Sequence, residues 1–289
     1  MSTDVTVVIA THNRCGELTR TLRRLHELIP APPVIVVDNG SSDGTAQSVR
    51  EGFSDVIVLA LPRNYGAPAR NLGVLASRTP YVAFSDDDSW WAPGALERAA
   101  RVLDAHPRLG LVAARTLVGS AQRPDPVIPL MATSPLPRSA DAPGPSVLGF
   151  LGCSAVLRKQ AFCEVGGFSK LIFFVGEEQL LSYDLAAAGW ERVYLDDVVA
   201  HHHPSTRRPD PWHRRVAERR NTVLIAVLRR PLRVALAAGA ALTRESICDR
   251  EARRALRGTL ARLPAALWQR MPLPTAVEQQ VRLLENAQP

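Results

Sequence analysis

Three clusters of ionisable side chains in this sequence could carry chemistry. Asp86-Asp87-Asp88 follows the apolar run 81–85 (YVAFS). Carboxylates crowded at the end of a buried strand repel one another and lose hydration, so a cation is needed to neutralise them. A divalent ion with oxygen ligands, shared with substrate phosphates, is the natural partner; a solvated acidic turn is the alternative. Glu177-Glu178 opens a helix-like stretch over 179–188. Paired carboxylates there either complement the helix dipole or supply a general base whose proton affinity the neighbour tunes. His201-His202-His203 follows Val198-Val199-Ala200. In an extended chain 201 and 203 share one face and 202 takes the other. The imidazoles then bind a metal or a phosphate, or are structural. A single further carboxylate, Asp38, ends the run 34–37 (VIVV). It can accept from a ribose hydroxyl or a base N–H, or form an Asx turn before the next helix.

The elements that must position these groups alternate. Residues 5–10 (VTVVIA), 34–37, 56–60, 81–85 and 110–114 read as strands. The first is continuously apolar, as in a parallel strand buried on both faces. Residues 16–28 place Leu18, Leu22, Leu25 and Leu28 on one helical face, Ser42-Asp43-Gly44-Thr45 opens a short helix, and 67–77 and about 92–105 also read as helical. Strand–helix alternation predicts an α/β nucleotide-binding half with a mainly parallel sheet. Ligands bind at the carboxyl ends of such strands, and here those ends carry Thr11, Asp38, Asn64 and the Asp triplet. Residues 120–146 hold seven prolines and read as a long irregular segment. A small mixed region follows over 150–200, and 214–289 reads as helical.

Composition sets the outer bounds. The chain has 289 residues, 46% hydrophobic and 22% charged, with a mean hydropathy of −0.04, which fits a globular protein and excludes a polytopic membrane protein. The four cysteines are scattered without a CxxC pair, which argues against a disulfide framework or zinc module and for a reducing, cytoplasmic setting. The N-terminus lacks a basic leader segment, and Arg229, Arg230, Pro231 and Arg233 interrupt the longest apolar stretch, 221–242. No GxGxxG follows the first strand and no GxxxxGK[ST] occurs, so dinucleotide dehydrogenases and P-loop NTPases are disfavoured. The net charge of +7 is uneven: 205–289 holds 17 arginines, no lysine and seven carboxylates, while the rest of the chain is slightly acidic. A basic tail beside apolar stretches suggests peripheral contact with an anionic membrane; helices packed on the body or against a second copy, with solvated arginines, are the alternative. It has no nucleic-acid-binding motif and few interleaved aromatics, so no nucleic-acid partner is expected.

Taken in order, VTVVIATHNR (5–14), VVDNGSSDGT (36–45), NYGAPARNLG (64–73), FSDDDSW (84–90), GCSAVLRKQAFCEVGGF (152–168), GEEQLLSYDLAAAGW (176–190) and YLDDVVAHH (194–202) closely resemble the family 2 glycosyltransferases. The resemblance covers about residues 4–204. It implies a GT-A fold, a catalytic domain over 1–204 (nucleotide-sugar-binding half 1–115, acceptor side 116–204) and a basic helical region over 205–289. It implies inverting, non-processive transfer of a sugar from a nucleotide-diphosphate donor to an acceptor hydroxyl, with Mn or Mg, in cell envelope glycan biosynthesis. By position, Thr11 and Asp38 hold the nucleoside, Arg70 lies near the base or diphosphate, and Asp86, Asp87 and Asp88 form the DxD region. Within it, Asp88 is the direct metal ligand and Asp86 lies nearer the ribose. Glu178 stands where the family usually has an aspartate base, with Glu177 as the fallback, and His201 completes the metal or diphosphate site. The acceptor is lipid-linked or a glycan. The QxxRW motif of processive synthases is absent. A silent nucleotide-sugar-binding protein of the same fold and a sugar-phosphate nucleotidyltransferase are the alternatives.

Overall fold

The computed structural model describes residues 4–205 and 211–287. The first half alternates as expected: β1 (Val5–Thr11), α1 (Cys15–His26), β2 (Val34–Asp38), α2 (Thr45–Gly52), β3 (Ile57–Ala60), α3 (Arg70–Ala76) and β4 (Tyr81–Ser85). Then come β5 (Ser89–Trp91), α4 (Ala95–Ala105), β6 (Leu109–Val118), β7 (Arg123–Pro124), α5 (Ile128–Ala132), β8 (Ala155–Arg158), α6 (Lys159–Glu164), α7 (Glu177–Ala187) and β9 (Glu191–His202). Four helices close the chain: α8 (Pro211–Arg229), α9 (Leu232–Glu245), α10 (Arg250–Trp268) and α11 (Thr275–Ala287).

One curled sheet runs β3-β2-β1-β4-β8-β6-β9-β5, with β7 beside β6. β3, β2, β1 and β4 are mutually parallel. β8 then enters antiparallel between β4 and β6, and β6 is parallel to β9. The continuous apolar runs are explained by burial on both faces: every residue of β2 and β4 is buried. One face packs α1 through Leu18, Leu22 and Leu25 together with α4. The other packs Val74 of α3, Phe162 of α6 and Leu181 and Leu185 of α7. The proline-rich segment 120–146 is folded rather than a bare linker. Ile128, Met131 and Leu136 are buried in it, and the adjoining Ser146 bridges to Val193 of β9.

The four C-terminal helices share a core with α7. Leu180 and Tyr183 of α7 pack among Val216, Leu224 and Leu228 of α8, Ala252 and Ala255 of α10 and Val277 of α11. Pro231 ends α8 and caps α9, as its lost N–H and fixed φ require. Many tail arginines are used internally. Arg229 pairs with Asp184 of α7, and Arg230 reaches Glu278 at 2.7 Å and Glu285 at 2.6 Å. Arg270 donates to the carbonyls of Val227 and Arg230 at the end of α8.

The Arg230–Glu278 pair makes a stability prediction. Burial pushes the Glu278 carboxyl up, but bonds from Arg230 and Arg282 outweigh it and hold the pKa below the usual value. A depressed carboxylate adds stability that is complete above its unfolded pKa and is lost as pH falls through the folded one. Arg230→Met should therefore lower unfolding stability by about 3 kcal/mol at pH 7. The gap to wild type should narrow below about pH 4 as the carboxyl is protonated. Urea titrations at the two pH values check this; an unchanged gap would mean that packing, not charge, dominates.

Candidate active site

The carboxyl ends of β1, β2 and β4 lie side by side. Thr11 is in register with Asp38, and the Asp triplet leaves the end of β4. Asp38 is buried and accepts from the Ser41 N–H at 3.1 Å. Asn39, next to it, receives the Tyr65 N–H at 2.8 Å and donates to the Gly66 carbonyl at 3.0 Å, tying the β2 end to the segment before α3.

The three aspartates point to different partners. Asp87 turns inward: its Oδ2 accepts from the Thr11 hydroxyl at 2.9 Å, and its carbonyl accepts from Thr21 at 2.8 Å. Burial, then the Asp86 charge, pushes its carboxyl up to about 7. Thr11, expected to hold the nucleoside, thus spends its hydroxyl on Asp87, and Asp87 braces the turn from inside. Asp86, 37% exposed at the side chain, accepts from Arg70. Asp88 accepts the Ser205 N–H at 3.0 Å and lies 3.3 Å from His202 Nε2. Burial raises the Asp88 pKa, but the His202 and Ser205 bonds outweigh it, so the carboxylate stays below its ordinary value. Arg14, at the start of α1, lies 3.8 Å from Asp87 and 3.7 Å from Asp88.

The late histidines correct one expectation. His201 is not at the cluster: its Nδ1 meets Gln122 Oε1 at 2.5 Å, and its ring stacks on Trp90 at 5.8 Å. His203 packs on the same indole. The cause is strand alternation with a fixed register. β9 pairs antiparallel with β5, setting Trp90 opposite His201 and Ser89 opposite His202, so His202 alone faces the aspartates. Burial lowers the His202 pKa, but the Asp88 bond and charge outweigh it and the net direction is upward.

Asp86, His202 and Cys153 each present a donor atom within 4.8 Å of the others. The Cys153 thiol is buried, and burial followed by the Asp86 charge raises its pKa well above the ordinary value. A thiol held protonated is a poor metal ligand. What remains is carboxylate oxygen plus imidazole nitrogen, with Asp88 against the same imidazole. This donor set fits a hard or borderline divalent ion such as Mn or Mg better than a thiolate-bound one.

Arg70 and the glutamate pair form the other wall. Arg70, at the first position of α3, is 9% exposed, and its Nε has no hydrogen-bond partner. Desolvation opposes its charge, but Asp86, Glu177 and Glu178 outweigh this and raise its pKa. Glu177 is buried with Oε2 unpartnered; burial and then Glu178 lift its pKa to about 8. Glu178 is also raised, by burial first. A Cβ at Gly152 would stand 2.9 Å from Glu178 Oε1, so Glu178 reaches over bare backbone beside Cys153. Both carboxyls of the pair thus hold their protons more tightly than usual.

A loop and a distant helix hold that pair in place. Asn221 of α8 is 1% exposed and donates to the carbonyls of Phe174 at 2.8 Å and Val175 at 2.6 Å. Gly176 adopts φ +90°, and a Cβ there would meet Ile225 of α8 at 2.9 Å, so only glycine suits the approach. The Phe173 carbonyl accepts the Ala67 N–H at 2.8 Å, tying the loop to the turn before Arg70. Arg14, Cys153, His202, Ser205 and Asn221 were absent from the expected site. Only His202 carried a sequence signal, as a member of the histidine run.

An apolar cleft of about 360 Å³ opens between α5, α7 and α11. Met131, Phe150, Tyr183 and Leu284 line it, with Gln179, the neighbour of Glu178, at its rim.

Known proteins share this sequence and architecture. The family model Glycosyl transferase family 2 matches residues 6–166. The N-acetylglucosaminyl-diphospho-decaprenol L-rhamnosyltransferase of Mycobacterium tuberculosis is 27% identical over 88% of this chain and 98% of its own length. The pre-mycofactocin glycosyltransferase of the same organism is 34% identical over 71% of this chain, which spans 44% of that relative. Among solved structures, a mannosyltransferase from Pyrobaculum calidifontis in complex with GDP-Man and Mn2+ aligns with a TM-score of 0.58 at 18% identity, over 99% of this chain and 87% of that one. GalNAc-T7 with UDP, GalNAc and Mn2+ aligns at 0.65 and 13% identity, over 94% of this chain and 59% of that one. With the family model covering more than half of its residues and a GT-A fold beneath them, the chain belongs to the family 2 glycosyltransferases.

Proposed function

We propose that this glycosyltransferase moves a sugar from a nucleoside-diphosphate donor to a hydroxyl of a lipid-diphosphate-linked acceptor, with inversion and with a divalent metal, in cell envelope glycan assembly. The observation that carries the reading is the juxtaposition of a cation-hungry Asp86–Asp88–His202 cluster with Arg70 and the buried Glu177–Glu178 pair at the strand ends. In this reading residues 1–204 carry the chemistry and 205–289 brace it. Asp38 receives the nucleoside. Asp86, Asp88 and His202 hold the metal, Mn or Mg, which when bound supplies Lewis-acid stabilisation to the departing diphosphate. Arg70 adds a fixed positive charge beside the same oxygens. Glu178 takes the proton of the acceptor hydroxyl as it attacks C1 from the face opposite the leaving group. One displacement inverts the anomeric centre. Glu177 keeps its proton and so tunes Glu178.

The acceptor class rests on two supports. The apolar cleft is lined by Gln179 and Tyr183 of α7, the helix that carries Glu178, and suits the hydrocarbon part of an acceptor. The M. tuberculosis relative that spans nearly the whole chain is named for a diphospho-decaprenol substrate. A transfer assay with each nucleotide sugar, with and without Mn, against polyprenyl-diphosphate-linked sugars tests the reading. Donor binding without transfer to any acceptor would leave a silent binding protein.

Two variants test the roles. Glu178→Gln should keep donor binding, measured as ligand-induced thermal stabilisation, and lose transfer by about 10²–10⁴-fold. A dead Glu177→Gln beside an active Glu178→Gln would shift the base by one residue. His202→Ala should raise the Mn concentration needed for half-maximal activity by at least about tenfold, while His201→Ala leaves it unchanged. The reverse pattern would return the metal to His201.

A further inference from the structure

The charge of the C-terminal helices is sorted. In the stretch from Leu232 to Met271 the carboxylates are Glu245, Asp249 and Glu251. All three turn toward α8: Glu251 takes Arg215 at 2.6 Å, Asp249 takes Arg219, and Glu245 lies 3.7 Å from Arg219. Five arginines of the same two helices, Arg233, Arg244, Arg250, Arg254 and Arg257, are exposed and have no side-chain partner among the described residues. The outward face of α9–α10 is therefore cationic with no free carboxylate to offset it.

That face is also apolar along part of its length. On α10 the positions 250, 254, 257, 261, 264 and 268 recur at helical spacing and are all exposed, while Ala252, Ala255, Thr259 and Ala266 are buried on the opposite stripe. The exposed stripe starts with three arginines and ends on Trp268, which is 87% exposed. Leu260, Leu267 and Met271 flank that end, each more than half exposed. Leu232 and Leu236 of α9 are as open and lie at the same corner, since the Met271 N–H bonds the Leu228 carbonyl at 2.9 Å and Arg270 bonds that of Arg230 at 2.8 Å. An exposed indole amid leucines beside unpaired guanidinium groups is disfavoured in water. It suits a boundary that is hydrocarbon on one side and anionic on the other.

We propose that the outward face of α9–α10 docks the protein onto an anionic lipid surface, with Trp268, Leu267 and Met271 inserted and Arg254 and Arg257 at the phosphate level. No helix among the described residues is long and apolar enough to cross a membrane, so the contact is interfacial. Along α8, Asn221, which braces the loop ahead of Glu177, lies about 12 Å from Arg229 at the docking corner. The lipid surface would then lie near the active site without the site entering it.

The test uses the full chain and vesicles carrying neither donor nor acceptor, so its result is independent of the proposed reaction. The protein should co-float with phosphatidylcholine vesicles containing about one third phosphatidylglycerol at 0.05 M salt, and the bound fraction should fall at 0.5 M as charges are screened. Pure phosphatidylcholine should bind it poorly. Arg254→Gln/Arg257→Gln and Leu267→Ser/Trp268→Ser should each weaken binding by at least about tenfold with unchanged melting temperature, since these side chains are exposed. Equal binding by wild type and both variants would overturn the proposal. So would a failure of wild type to bind at low salt. A concentration-dependent dimer that Leu267→Ser/Trp268→Ser converts to monomer, with no vesicle binding, would assign the face to a second copy instead.

Discussion

Everything at the strand ends is arranged around one buried guanidinium. Arg70 faces Asp86 from the end of β4 and Glu177 and Glu178 from the start of α7, three carboxylates from two elements that would otherwise repel across a desolvated gap. A buried cation among several carboxylates is stable only if geometry keeps every member in place. The surrounding chain supplies that geometry: β1 pairs with β4 beside the triplet, the Phe173 carbonyl ties the glutamate loop to the turn before Arg70, and α8 braces the same loop through Asn221. Even with Arg14 beside Asp87 and Asp88, the guanidinium groups are outnumbered by the carboxylates Asp86, Asp87, Asp88, Glu177 and Glu178. The residual negative potential at Asp86 and Asp88, with His202 drawn toward it, is what makes a divalent ion and a diphosphate a physically sensible pair of ligands.

This arrangement explains how the middle aspartate differs from its neighbours. Asp87 is buried on the Thr11 hydroxyl, and its raised proton affinity marks it as a carboxyl the protein keeps out of the charged cluster. Asp86 is 37% exposed at the side chain and faces Arg70, while Asp88, 11% exposed at the side chain, faces His202 rather than β1. A run of identical residues therefore holds two jobs: Asp87 fixes the turn against β1 and α1, and Asp86 and Asp88 present charge.

Much of this could be read from sequence, for identifiable reasons. The parallel strands are continuously apolar because both faces are covered, so VTVVIA and YVAFS announced themselves, and the residues following them had to lie at the ligand edge. The histidines were harder. Alternation correctly split 201 and 203 from 202, but which face met the aspartates depends on Trp90 standing opposite His201, a pairing between β5 and β9 separated by over a hundred residues. Arg14, Cys153 and Asn221 carried no local signal, because each acts through partners far away in the chain. The seven prolines of 120–146 suggested a long irregular segment, yet Ile128 and Met131 find a core with residues that come later in the chain, among them Phe150, Leu181 and Tyr194.

The tail shows the same limit from the other side. Counting charge over 205–289 gives a strongly basic segment, but a count cannot distinguish an arginine that completes a core from one that meets solvent. Arg229, Arg230 and Arg270 are interior fasteners, joined to Asp184, Glu278, Glu285 and backbone carbonyls. Their removal would loosen α8 and, through Asn221 and Ile225, the loop that presents Glu178. Among the described residues, the exposed tail arginines that lack a side-chain partner fall on two adjacent helices, α9 and α10, with the exposed indole at one end. The bracing role and the surface role are thus divided between the inner and outer faces of one helical layer, with α8 belonging to the first and the outward sides of α9 and α10 to the second. A substitution on the outer side can change what the protein adheres to without moving the base, whereas one on α8 acts on the catalytic loop directly.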